Sequence, residues 1–216
     1  MNAPDQGSEP VRRPGGRSAR VRAQVLEAVC ALLVERGYDA LTVDAVAQRA
    51  GVHRTSVYRR WRDVGGLLAD VFDAAGADDW RPRDTGSLEG DLTALNEEVL
   101  AGLSEDPPVT RALIAASFRS AQAAEALRRF WTDRYLRCAP VVERAVRRGE
   151  LPPGTDARQL LVAGTAPVYH ELVLLRTVPD PDLPARAARA AALAGAAGAF
   201  TTRNAVRANR ARTSTT

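Results

Sequence analysis

The stretch Leu41-Thr-Val-Asp-Ala-Val-Ala-Gln-Arg-Ala-Gly-Val-His-Arg-Thr-Ser-Val-Tyr-Arg-Arg-Trp61 decides how the chain folds. Thr42 stands just before Val43, Val46, Ala47 and Ala50, apolar positions at helical spacing, so a short helix with a hydroxyl cap is expected. Gly51-Val52 interrupts that pattern. A further short helix is expected from about His53 to Trp61, burying Val57 and Trp61. Two short helices on a tight glycine turn, the second polar and basic on its outer side, have the shape that inserts a helix into the major groove. His53, Arg54, Thr55 and Ser56 open that second helix and are the candidates for base edges. Tyr58, Arg59 and Arg60 are placed for flanking phosphates. Thr42, at a helix N-terminus, offers a hydroxyl and free amides to another phosphate.

Helical periodicity continues on both sides. Upstream, Val21, Val25, Val29, Leu32 and Leu33 share one face of a helix expected to start at a Ser18 cap and end at Gly37. Downstream, Leu67, Leu68, Val71 and Phe72 mark a helix from about Asp63 to Ala77. Residues 79–87 read as a polar linker. Beyond it, helices are expected from Leu88 to Leu103, from Pro107-Pro108 through Phe118, and from about Ala121 to Arg148. Two more are expected from Thr155 or Asp156 through Leu175, and over 185–200. Nothing alternates with period two for long enough to be a strand. The class is all-α, a three-helix DNA-binding head followed by a larger helical body. The divisions are a basic arm over 1–17, the head over 18–63 with a connecting helix over 64–78, the body over 79–200, and a polar tail over 201–216.

Charge follows the same division. All 30 basic residues are arginine. Residues 11–62 hold eleven arginines against four acids, whereas residues 63–216 hold nineteen against twenty. A basic segment on a near-neutral body suits a polyanion-binding head, although scattered solvated arginines give the same count. The arm bearing Arg12, Arg13, Arg17 and Arg20 is either a minor-groove contact or a solvated tail. Arg203, Arg207, Arg210 and Arg212 read as solvated. Cys30 and Cys138 lie apart on separate helices and offer no disulfide framework, and the two histidines form no metal cluster. Neither a nucleophile–base pairing nor a metal set is evident, so no catalytic residue and no cofactor are expected. Without a long apolar span or an N-terminal signal, no membrane partner is expected and the place is the cytosol.

The segment from Arg36-Gly-Tyr38 through Leu41 to Val52, then Ser56-Val-Tyr-Arg-Arg-Trp61 and Leu67-Leu68, resembles the tetracycline-repressor (TetR) family over about residues 18–75. The resemblance implies a third helix that recognises DNA, a phosphate contact from Tyr58, and a homodimer on a palindromic duplex operator. It also implies a variable helical domain whose small-molecule effector releases the DNA. Val64 departs from the lysine common at the start of the fourth helix, leaving Arg62 as the neighbouring cation. His53 stands where serine or threonine is usual, and is read as a cap or a DNA contact.

In the body, Phe118, Trp131, Tyr135, Tyr169 and His170 fall on the helices that, by this resemblance, enclose an effector; each is otherwise plain core. Few charges lie on those inner faces, so the expected effector is apolar or aromatic. Cys138 reads as small core, or else as a thiol that senses oxidants. Ala163, Gly164 and Ala166, with Ala187, Ala188, Ala191, Ala192, Ala194 and Gly195, let helices approach closely. They suit either a four-helix dimer seam or packing within one chain.

Overall fold

The computed structural model describes residues 16–201. Nine α-helices occur among them: α1 (Gly16–Arg36), α2 (Val43–Ala50), α3 (Arg54–Trp61), α4 (Val64–Gly76), α5 (Leu88–Leu103), α6 (Val109–Ser117), α7 (Ala121–Arg147), α8 (Ala157–Tyr169) and α9 (Leu183–Ala196). A 3-10 turn, Tyr38–Ala40, follows α1, and a π-helical stretch, His170–Leu175, extends α8. Among the described residues the β content is one isolated bridge, Thr155 to Thr201.

The local reasons are those that helix ends demand. Thr42 accepts from the Ala45 amide at 3.1 Å, and Asp63, Ser87 and Asp156 cap α4, α5 and α8 in the same way. Each satisfies one amide left free by the first turn. Ser18, expected as a cap, lies inside α1, which starts two residues earlier. The arm residues Arg12 and Arg13 and the tail arginines lie outside the described residues. The helix expected through Leu175 widens to π geometry after Tyr169, and α9 begins at Leu183, two residues before the expected start, and ends before Phe200.

α1 to α4 share one apolar core with α6 and the start of α7, built on Val25, Val29, Val46, Val57, Leu67 and Leu68. Full burial of such a side chain contributes about 1.5–3 kcal/mol. A second core, around Leu92, Val141, Leu160, Leu161 and Ala188, joins α5, α7, α8 and α9. The linker over 79–87 is structured: Trp80 packs on this second core, and Thr85 donates through its amide and hydroxyl to Asp91. Asp91 is wholly buried. Arg144 supplies its charge partner at 2.9 Å, so linker, α5 and α7 meet at one carboxylate.

Five of the small residues of α8 and α9, namely Gly164, Ala187, Ala188, Ala191 and Gly195, are buried inside the chain. A Cβ on Gly164 would lie 3.4 Å from that of Ala191, and one on Gly195 would collide with Leu151 and Leu160. Ala187, Ala188 and Ala191 are buried. The open faces of these helices instead carry Val162, Ala166, Ala190 and Leu193.

Candidate nucleic-acid interface and effector cavity

The turn between α2 and α3 is set by Gly51, whose φ of 65° lies where glycine alone is unstrained. Nothing stands within 4 Å of a Cβ built there, so conformation and not space makes the demand. The Gly51 amide reaches the carbonyl of Gln48, and the Val52 amide that of Ala47, closing α2. α3 then seats Val57 and Trp61 in the core. With those two turned inward, His53, Arg54, Thr55, Tyr58, Arg59 and Arg60 are exposed on its outer side, while Ser56 is half-buried. His53 occupies the N-cap position of α3 but its side chain accepts no cap bond.

The outer face of α3 is basic and lightly tethered. Arg54 forms an exposed ion pair with Asp44 at 3.3 Å and lies over the Tyr58 ring, 5.5 Å from its centre. Arg60 reaches Ser18 at 3.4 Å and stacks on Trp61. Arg59 has no ion pair among the described residues. Asp70 holds the helix from beneath: Arg22 forks onto its carboxylate, and the Trp61 indole donates to it at 2.7 Å. Burial opposes ionisation of Asp70, but the Arg22 and Trp61 hydrogen bonds prevail and hold its carboxyl below the ordinary value of 3.8.

α3 ends at Arg62, whose φ is 62°. The Asp63 amide bonds the Trp61 carbonyl at 2.6 Å, a three-residue turn of the strained type. A Cβ on Gly66 would stand 2.3 Å from the same carbonyl oxygen. Gly66 thus allows α4 to start directly beneath α3, while Gly65 leaves room for Ser120 and Gln122 at the start of α7. Val64 is half-buried against the core, and the cation at this corner is the exposed Arg62.

In the body, a cavity of about 220 Å³ opens among α5, α6, α7, α8 and the linker. Trp131 meets Tyr169 edge-on, ring centres 5.2 Å apart, and tilts over Tyr135 at 5.8 Å. These three residues line the cavity together with Phe130 and Leu161. Burial pushes the Tyr169 phenol far above its ordinary range and raises the Cys138 thiol to about 11. Cys138 therefore stays a protonated thiol near neutral pH, without the thiolate character that oxidant sensing needs. Phe118 stands elsewhere: it is 77% exposed, at the end of α6, on a separate cleft. His170 is exposed beside a neighbouring hollow that it shares with Trp131 and Tyr169.

Three residues missed by sequence reasoning shape this cavity. Trp80 closes its edge, donating to Glu98 at 2.7 Å. Arg134 lies 4.6 Å from the centre of the Trp80 ring and donates to Asp78 at 2.6 Å, just past the end of α4. A lone tryptophan in an otherwise polar linker was the available signal; nothing marked Arg134 or Glu98 among so many charges.

A helix-turn-helix head joined to a helical body defines a DNA-binding transcriptional regulator, and the comparisons give its family. Residues 25–71 match the model of bacterial regulatory proteins of the tetR family, and residues 82–191 match the tetracyclin repressor-like C-terminal domain. The regulator AqdR of Rhodococcus erythropolis is 34% identical over 158 residues, covering 71% of this chain and 75% of that one. The DNA-binding transcriptional repressor TetR of Mycobacteroides abscessus is 32% identical over 168 residues, 76% of this chain and 86% of that one. The solved SmeT–triclosan complex shares the fold, with a TM-score of 0.58 at 22% identity over 86% of this chain and 93% of that one. The chain belongs to the TetR family of DNA-binding transcriptional regulators. Among the described residues, no helix is long and apolar enough to cross a membrane, and no group of three or more His, Cys, Asp or Glu side chains is placed to hold a metal.

Proposed function

We propose that this regulator is a cytosolic homodimeric repressor that binds a palindromic operator through α3 and leaves it when an apolar or aromatic molecule fills the cavity beside Trp131. The observation that carries the reading is the outer face of α3, exposed and basic, with Asp44 as the one acid paired to it among the described residues. Arg54, Thr55 and Ser56 are assigned to base edges, with His53 beside them. Thr42, Tyr58, Arg59 and Arg60 hold phosphates, which fix register without reading sequence. One short helix contributes little affinity, so two heads on half-sites about one helical turn apart are required. The exposed Val162 and Leu193 of α8 and α9 supply the apolar seam for the second copy.

The effector reading rests on an aromatic, weakly polar cavity and on its tie to α4. Arg134 touches both: it stacks on cavity-lining Trp80 and Phe130 and holds Asp78 and the Ala75 carbonyl at the end of α4. A ligand that displaces Trp80 or Arg134 loosens that end, and α4 carries Asp70, the carboxylate under α3. The relative captured with triclosan supports an aromatic ligand class. The test is selection of bound fragments from genomic DNA, followed by titration of the selected site and of random duplex. Preference of about 10³-fold or more at physiological salt is expected; equal affinity for both would overturn the reading.

A further inference from the structure

A second cleft, of about 620 Å³, lies where head meets body and shares no lining residue with the cavity beside Trp131. Leu33 and Val34 of α1 form one wall, Ala112 and Ala115 of α6 another, and Leu172 of the π-helical stretch a third. Two arginines, Arg111 and Arg176, line it, and no Asp or Glu does. The Nε of Arg111 is buried and has no hydrogen-bond partner. Arg176 ends the π-helical stretch with φ 57° and enters no ion pair among the described residues. Elsewhere in this chain arginines near the surface are commonly matched to a carboxylate, as at Arg22, Arg134 and Arg144. Here the walls are apolar, the rim carries Phe118 and Leu174, both well exposed, and the positive charge is unanswered.

We infer that this cleft is a binding site for a small amphipathic anion, a carboxylate or phosphate head on a compact apolar body. The head satisfies the guanidinium groups of Arg111 and Arg176 through charge-assisted hydrogen bonds, which a buried unpartnered Nε favours strongly. The body covers Val34, Leu174 and the exposed Phe118 ring, apolar surface otherwise left to water. The volume lies within the range of small-molecule sites. The bound molecule would touch α1 of the head and α6 of the body.

Calorimetric titration of the full chain with octanoate, octyl phosphate and neutral 1-octanol tests this. Saturable binding of at least one anion is expected, tenfold or more weaker in both Arg111→Gln and Arg176→Gln, with 1-octanol at least tenfold weaker than the anion. Melting curves show that the variants fold, and Arg176, at the surface, gives the cleaner reading should Arg111→Gln not fold. Gly102 lines the other cavity, and Gly102→Leu, which fills it, leaves the anion's affinity unchanged. No saturable anion binding, equal binding of 1-octanol, or loss in Gly102→Leu with none in the arginine variants would each overturn the assignment. Operator affinity is measured separately on ligand-free protein, so failure of DNA recognition and failure of this site give different results.

Discussion

The Trp61 indole nitrogen donates to the Asp70 carboxylate at 2.7 Å, and Arg22 forks onto the same group, so one acid joins α1, α3 and α4. Trp61 is 6% exposed, and its ring also closes the core of the head. Trp61→Phe keeps most of that packing and removes one hydrogen bond to a charged acceptor, which costs about 1.5–3 kcal/mol. Trp61→Ala also opens a cavity and costs about 3–5 kcal/mol. Urea denaturation separates the two, and similar midpoints for Phe and Ala would show that the ring is not a core anchor.

The same carboxylate sets an acid limit. Its folded-state value is depressed below the ordinary 3.8, so its contribution is fully present above that value and is lost as pH falls through the lower folded one. The stability gap between the wild type and Asp70→Asn is therefore expected to be constant near neutrality and to close below about pH 4. Denaturation at a series of pH values measures it. A gap that widens on acidification would contradict the Arg22 and Trp61 partnership.

Much of this head was legible because each of its devices is local. A hydroxyl before an apolar run predicts a cap, and Thr42 is one; a glycine between two short helices predicts a left-handed residue, and Gly51 is one. Contacts distant in sequence were not legible. Arg22 and Asp70 are 48 residues apart, and no spacing rule pairs them. Phe118 satisfies helical periodicity, yet it stands just past Ser117, the last residue of α6, and faces solvent. The alanines of α9 promised close helix approach without saying to which helix; Ala191 beside Gly164 gives the answer within the chain. The widening after Tyr169 has no sequence signal that we recognise.

Base-reading and phosphate-holding roles on α3 separate by the pattern of loss. Arg54→Ala is expected to lower affinity for the selected operator by about 1–3 kcal/mol and to leave random duplex far less affected. Tyr58→Phe is expected to weaken both alike. Asp44→Asn frees Arg54 from its exposed pair and removes an acid from the basic face, and is expected to raise affinity roughly two- to fivefold on both duplexes. Mobility shifts on the two duplexes decide among these, and unchanged discrimination in Arg54→Ala would remove Arg54 from the base-reading set.

The cavity in the body offers a substitution that separates effector response from folding. Gly102 lies on α5, lines the cavity, and a Cβ built on it meets nothing within 4 Å. Leucine there replaces a poor helix former by a good one, a gain of up to about 1 kcal/mol, and places its side chain where a ligand's apolar body would sit. The melting temperature of Gly102→Leu is expected to hold or rise. Response to any effector that acts through this cavity should fall by tenfold or more, since overlap with a filled volume leaves few low-energy poses. The check is operator release titrated against a panel of small aromatic compounds in both proteins. Full release of Gly102→Leu by the same compound at the same concentration would mean that the space beside Trp131 is packing slack, with the sensing site elsewhere.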